Sequence, residues 1–230
     1  MDHHFEEYSI HANSNPYFKI AVDFICSEFT TEEIIETGTY NGLGSTKVLC
    51  EIAKEYRIAV KSIECHEENV HTARFNLRKF DNVEVIHGLS IDREDAIDWM
   101  THNLKMPPVE VSMDYDLPPE MEHITDNQYL KLLFASYAQE ISEPCPRENV
   151  LEELINNRIN QLIFLDSAGG IGFYEFQKCI MSLPPKVLAC KVLMVDDVNK
   201  IKHYQTVKSL EQDGFCVNYD GEGRMAWCKF

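Results

Sequence analysis

The sequence predicts an α/β fold: a doubly wound, seven-stranded, mostly parallel sheet that ends in an antiparallel hairpin. Two observations carry this. Short apolar runs alternate with stretches of helical periodicity along most of the 230 residues, the pattern of strands joined by crossover helices and buried on both faces. The last two runs flank Asp220-Gly221-Glu222-Gly223, a turn that suits a hairpin.

The elements follow in order. Asn15-Pro16 opens a helix to about Phe29, with Phe18, Val22, Ile25 and Phe29 on one face. Glu33–Thr37 is the first strand, and Ser45–Tyr56 an amphipathic helix carrying Val48, Leu49 and Ile52. Ala59–Glu64 is the second strand, Glu67–Phe80 a helix, Val83–His87 the third strand and Asp92–His102 a helix. The alternation then breaks between Asn103 and Asn149, a stretch that holds Pro107-Pro108, Pro118-Pro119, Pro144 and Pro146 around one helical segment at 126–141. So long a departure from short connections is either functional or disordered; it is read here as an insertion able to form a lid. Val150–Arg158 is a helix, Gln161–Asp166 the fourth strand, Gly172–Ser182 a helix, Lys191–Val195 the fifth strand and Lys200–Asp213 a helix. Phe215–Tyr219 and Met225–Phe230 close the chain as the hairpin. One domain spanning 1–230 is expected, with an N-terminal helical extension (1–32) and the insertion (103–149).

The bulk numbers narrow the function. Hydrophobic residues make up 44% and charged residues 26%, an ordinary globular composition. The formal net charge is -17. So acidic a surface repels phosphate backbones and anionic headgroups, which argues against nucleic acid and membrane partners and suits a small cationic ligand. No apolar run approaches the ~20 residues of a membrane span. The polar, acidic start Met1-Asp2-His3-His4-Phe5-Glu6-Glu7 does not read as a signal peptide. Eight cysteines are scattered through apolar segments without a C-x-x-C pair, which reads as reduced core residues of a cytoplasmic protein, with a scattered secreted disulfide set as the weaker alternative.

In open sheets of this kind ligands bind beyond the carboxyl ends of the strands. After the first strand comes Glu36-Thr37-Gly38-Thr39-Tyr40-Asn41-Gly42-Leu43-Gly44-Ser45. Its glycines fall at relative positions 1, 5 and 7, not the 1, 3 and 6 of the dinucleotide fingerprint. A helix N-terminus still follows at Ser45 with free N–H donors. An ordinary glycine-rich turn would look similar. Glu64 ends the second strand, where a carboxylate can accept hydrogen bonds from a ribose diol, and Cys65 and His66 border it. Gly88, Leu89 and Ser90 follow the third strand as a small turn that can lie against a base. Asp166 ends the fourth strand, and Asp196 and Asp197 the fifth. Three carboxylates on one edge need neutralising. A divalent cation such as Mg²⁺ would do so and would acidify a bound hydroxyl; the same residues also cap turns and helices. Lys202 and His203 follow the fifth strand and can reach this edge, so His203 and Asp166 are both candidate bases.

These residues resemble a known family. The turn Glu36-x-Gly38-x-x-x-Gly42-x-Gly44-Ser45 is similar to motif I of class I S-adenosylmethionine (SAM)-dependent methyltransferases, and Glu64, Gly88–Ser90 and Asp166 fall at that family's later motifs. The terminal hairpin matches its reversed last strand. Within the class the chain resembles small O-methyltransferases of the catechol and caffeoyl-coenzyme A type and macrocin-type sugar O-methyltransferases, whose Asp after strand four and acidic pair after strand five bind Mg²⁺. Two features differ: the small-residue run 167–172, and the lack of a lysine directly after Asp166. The resemblance implies a Rossmann-like fold. It also implies SAM held by Glu36, Gly38, Thr39, Tyr40, Gly42, Gly44, Ser45, Glu64, Cys65, His66, Gly88, Leu89, Ser90 and Asp166. A metal would sit on Asp166, Asp196 and Asp197, and methyl would pass to a small-molecule or saccharide hydroxyl. Other readings are a SAM-binding scaffold without catalysis and a nucleotide-dependent oxidoreductase, which the glycine spacing disfavours. The oligomeric state is open, with a homodimer among the options.

Overall fold

A computed structural model describes residues 15–103, 126–167 and 170–230. Seven strands form one sheet: β1 (Glu33–Thr37), β2 (Ala59–Glu64), β3 (Val83–His87), β4 (Gln161–Leu165), β5 (Lys191–Val195), β6 (Val217–Tyr219) and β7 (Ala226–Lys229). Their order is β3-β2-β1-β4-β5-β7-β6. The first five pair in parallel, and β7 runs antiparallel to both β5 and β6. The predicted fold class and the closing hairpin are therefore both present. The chain winds outward from β1 to β3, then crosses back to β4 and β5, so the order reverses between β1 and β4.

Side-chain alternation explains why both faces are covered. Ile34, Leu162, Phe164, Val192 and Met194 point into one apolar layer. Ile35, Ile163, Leu165, Leu193 and Val195 point into the other. β1, β4 and β5 are buried at every position; β4 and β5 are apolar after their first residue, as strands covered on both faces are, while β1 also buries Glu33, Glu36 and Thr37. Three helices cover the first face: α1 (Pro16–Glu28), α2 (Ser45–Tyr56) and α3 (Glu67–Leu77). Asn15 caps α1 by accepting from the Tyr17 N–H at 2.9 Å, with Pro16 in the first turn, where its missing donor costs nothing.

The second face holds α4 (Arg93–Asn103), α5 (Asp126–Glu140), α6 (Val150–Ile155), α7 (Gly172–Glu175), α8 (Pro185–Leu188) and α9 (Tyr204–Gln212). The helix predicted over 172–182 is instead a short α-helix that passes into a π-helical turn, Phe176–Ile180. The helix predicted from Lys200 begins at Tyr204, because the residues between are spent on a turn described below. Within the insertion, α5 lies where the periodicity predicted it, and Tyr137 and Ile141 pack into the core of this face. The proline pairs 107–108 and 118–119 lie outside the described residues, as do the first fourteen residues with the leader reading. Among the described cysteines Cys26, Cys50, Cys179 and Cys228 are buried, while Cys216 is exposed. No described helix is long and apolar enough to cross a membrane.

At the amino ends of the strands a polar chain crosses the buried sheet. Lys191 is fully buried. Its ammonium donates to Gln161 Oε1 at 2.5 Å, Asn157 O at 2.9 Å and Ile159 O at 3.2 Å. Gln161 Nε2 in turn donates to Glu33 Oε2 at 2.7 Å, and Lys61 pairs with Glu33 at 2.6 Å. Lys191→Met should leave these acceptors unsatisfied and destabilise the fold by at least about 1–3 kcal/mol. A lower urea midpoint at an unchanged denaturant slope would show it; an unmoved midpoint would contradict it.

Candidate functional site

The turn after β1 is built around a buried carboxylate. Glu36 is fully buried and accepts from Ser45 Oγ and Ser62 Oγ, each at 2.5 Å. Burial raises its pKa, and the hydroxyl donors work the other way. Thr39 Oγ1 shares a 2.6 Å hydrogen bond with the same Ser62. One carboxylate thus ties the start of α2 and the middle of β2 to the end of β1.

Two glycines in this turn answer to the protein's own packing. Gly38 has φ +87°, and a Cβ there would stand 2.4 Å from the backbone oxygen of Asp166. Gly42 has φ +75° and faces Leu77 of α3. The non-glycine Tyr40 is also left-handed, at φ 50°, a strained geometry of the kind that gathers at functional turns. That strain aims the Tyr40 N–H at Glu64 Oε2, 2.7 Å away.

Beyond the strand ends lies a cavity of about 280 Å³ at the point where the sheet order reverses, the expected ligand position for a doubly wound sheet. Gly38 and Tyr40 line it from β1, and Glu64, Cys65 and His66 from β2. Gly88, Leu89 and Ser90 line it from β3, and Asp166 with Ser167 from β4. Glu64 accepts the Tyr40 N–H with one oxygen and the His66 N–H, at 2.9 Å, with the other. Each carboxylate oxygen has a second lone pair for a ligand. The Gly88 turn is clamped from behind: the Leu89 N–H donates to Arg147 O, and the Val150 N–H to Leu89 O.

Nine of the predicted cofactor residues therefore line the cavity. Glu36, Thr39, Gly42, Gly44 and Ser45 do not. Glu36, Thr39 and Ser45 are tied together by hydrogen bonds through Ser62 behind the turn, and Gly42 packs on Leu77. For Glu36 this is a correction: both of its oxygens are engaged by buried hydroxyls, so it positions the turn and does not face a ligand.

Several residues were not singled out by the sequence, among them Glu140, Ile141, Asn69 and Glu175. Tyr137, Glu140 and Ile141 bring the insertion to the cavity, and Asn69 reaches it from α3. Glu175 is fully buried and gathers cavity-lining hydroxyls, accepting from Ser167 Oγ at 2.6 Å and from Thr37 Oγ1 at 3.4 Å. Its pKa is raised by burial. No local pattern marks it, because its partners come from β1 and from the turn after β4.

His203 is corrected as a base. Its ring is fully buried and does not line the cavity. It packs where a Gly172 Cβ would stand, 2.4 Å from its Cε1. Nδ1 meets Thr206 Oγ1 at 3.2 Å. Burial, then the neighbouring Lys202 charge, push its pKa down to about 3.

The metal reading is also corrected. Asp166, Asp196 and Asp197 do meet at one edge, but the protein's own cations engage them. Lys202 Nζ lies 2.5 Å from Asp166 Oδ1. Arg224 reaches Asp196 at 3.2 Å and Asp197 at 3.4 Å, and Lys200 lies 3.7 Å from Asp197. Only Asp166 of the three lines the cavity. Among the described residues no group of three His, Cys, Asp or Glu is disposed to hold a metal ion. Asp166 and Asp196 accept hydrogen bonds from Lys202 and Arg224; Asp197 Oδ1 accepts none and is met only by the Arg224 and Lys200 charges. Carboxylates neutralised in this way by the protein's own cations do not fit the donor set of a hard divalent cation. The Asp166 carboxyl is pushed up to about 7, first by burial and then by Asp196 and Asp197, against the pull of Lys202. Lys202 is held charged: its three aspartate neighbours outweigh its burial.

No protein-family model matches the chain, and no curated protein matches it in sequence. Solved structures do. Precorrin-6y C5,15-methyltransferase from Geobacter metallireducens GS-15 superposes with a TM-score of 0.51 at 10% identity, over 96% of this chain and 92% of that one. Cofactor-bound Rv0187 from MTB gives 0.50 at 14% identity, over 94% and 80%. The O-methyltransferase from Bacillus cereus in complex with SAH gives 0.47 at 14%, over 96% and 84%. The likeness to the first places the chain within an α/β methyltransferase fold.

His203 supplies a test of the buried arrangement. The unfolded chain protonates it near its ordinary 6.5, the folded chain only near 3. Between those values the unfolded state binds the extra proton. The stabilising contribution is complete above about pH 6.5 and is lost as pH falls toward 3. Replacing His203 with Asn should flatten the stability–pH profile in that window by up to ~1.4 kcal/mol per pH unit relative to wild type. Parallel urea titrations from pH 4 to 7 measure it; identical slopes would mean that the folded state protonates His203 normally.

Proposed function

We propose that this protein is a SAM-dependent methyltransferase acting on a hydroxyl of a small-molecule or saccharide acceptor. The observation that carries the reading is Glu64. It is a nearly buried carboxylate at the second strand end, oriented by two backbone N–H groups, facing a cavity at the reversal point of a methyltransferase-type sheet. Such a carboxylate suits a ribose diol. The Gly88–Ser90 turn suits the base beyond it, and the donor's methyl then faces Asp166. The acidic lining of Glu64, Glu140 and Asp166 favours a sulfonium.

The transfer itself needs alignment and removal of one proton. Holding the acceptor oxygen in line with the C–S bond supplies up to ~7–11 kcal/mol, and a positioned base adds ~10²–10⁴-fold. Asp166 is the base in this reading, since its carboxyl lines the cavity with a pKa pushed up to about 7. The acceptor O–H proton passes to Asp166, the oxygen bonds to the methyl carbon, and the C–S bond breaks to release the thioether. The insertion acts as the lid, with Tyr137 and Glu140 of α5 and Ile141 just beyond it forming one wall.

Calorimetric titration with SAM and with S-adenosylhomocysteine tests the donor half. Wild type should bind both and should not bind NAD(P). Glu64→Ala should weaken binding ~10–150-fold, the loss of charge-assisted hydrogen bonds, and Glu64→Gln should weaken it less. A folded wild type that binds neither ligand would sink the proposal.

A further inference from the structure

The aspartate edge deserves a chemistry of its own, given that it faces the acceptor end of the cavity in the reading above. Three carboxylates from two strand ends meet three cations from two later segments. Lys200 and Lys202 come from the turn after β5, and Arg224 from the hairpin between β6 and β7. The pairing is specific. Arg224 spans the two β5 aspartates, with Nε and Nη2 on Asp196 and Nη2 also within 3.4 Å of Asp197. Asp196 Oδ1 additionally accepts the Asp197 N–H at 2.8 Å. Asp197 itself is left-handed at φ 54°. The chain after it turns back on itself, the Lys200 N–H donating to Asp197 O at 2.9 Å, and the Lys202 side chain reaches Asp166 at the end of β4. Lys202 is 9% exposed, and its ammonium meets the one aspartate that lines the cavity.

We infer that the Lys202 ammonium stands in the place of a divalent cation, so that this site works with a built-in cation and does not take up a metal. This rests on reading the edge as the acceptor end. A metal there would need oxygen ligands at ~2.0–2.6 Å, including Asp166 Oδ1, which the ammonium already engages. A doubly charged ion beside a buried ammonium and a guanidinium would meet repulsion that little solvent screens. The ammonium supplies one positive charge beside the Asp166 carboxylate, and Lys202 thereby positions Asp166 and favours an acceptor oxygen that gains negative charge as its proton leaves.

The test is metal binding, read without any turnover. Mn²⁺ is titrated into the full-length protein and followed by its electron paramagnetic resonance signal, with Mg²⁺ followed by calorimetry. Wild type should show no saturable binding up to millimolar metal. Lys202→Ala and Lys202→Met each remove the ammonium and leave Asp166 uncompensated. Either, if folded, should gain saturable Mn²⁺ binding at least ~10-fold tighter than wild type, and adding Asp166→Asn should abolish the gain. Saturable binding by wild type that Asp197→Asn removes would overturn the inference, whether or not the lysine variants fold. So would folded Lys202→Ala and Lys202→Met proteins that both fail to gain metal. SAM titration with EDTA present runs alongside: a failure to bind SAM counts against the methyltransferase reading and leaves the metal result to be judged on its own.

Discussion

The buried carboxylate of Glu36 holds the cavity's geometry together. It lies in the first strand with both oxygens committed to serine hydroxyls, one at the start of α2 and one in β2. A carboxyl removed from water in this way must be hydrogen-bonded on every side to be tolerated. That requirement fixes where α2 begins relative to β2, and so fixes the path of the turn between them. The left-handed Tyr40 and the close approach of Gly38 to Asp166 O follow from that path. Glu64 then inherits its orientation from the Tyr40 N–H. A residue with no exposure to the cavity thus sets the aim of the residue that faces it.

Glu175 does the same work on the opposite wall. Its oxygens collect hydroxyls from Thr37 and Ser167, and the Asp166 N–H donates to the same Thr37 hydroxyl at 3.1 Å. The turns after β1 and β4 are therefore coupled through one buried acid. That coupling sits at the gap where the sheet order reverses, where no ladder hydrogen bonds continue past the strand ends. Glu36 and Glu175 are both raised in pKa by burial, and their hydroxyl partners are what make that burial acceptable.

Charge balance at the far edge follows a different rule. Asp166, Asp196 and Asp197 crowd together because β4 and β5 are neighbours in register, so both strands end at one level. Neutralisation comes from segments much later in the chain, Lys202 after β5 and Arg224 in the hairpin. The carboxylates were legible in the sequence, and so was the nearness of Lys202; which carboxylate it meets, and the part played by Arg224, were not. Lys202 and His203 looked alike as neighbours at the edge, yet the turn sends Lys202 toward β4 and buries His203 against Gly172. A difference of one position in a turn separates the charged group paired with the cavity-lining Asp166 from the neutral one in the core.

The sequence by itself determined the α/β alternation, the hairpin and the strand ends that carry Gly38, Glu64, Gly88 and Asp166, because these depend on local periodicity and on turn residues that act within a few positions of one another. It also marked the place of α5 inside the insertion. Only the tertiary structure decided which of those residues face the cavity and which stand behind it. Glu36, Gly42 and Ser45 belong to the same motif as Gly38 and Tyr40, but strand alternation and the packing of α3 turn them the other way. The choice between a metal and a lysine at the aspartate edge was likewise tertiary. Both would neutralise the same carboxylates, and what separates them is the position of an ammonium brought there by the fold from 36 residues further along the chain.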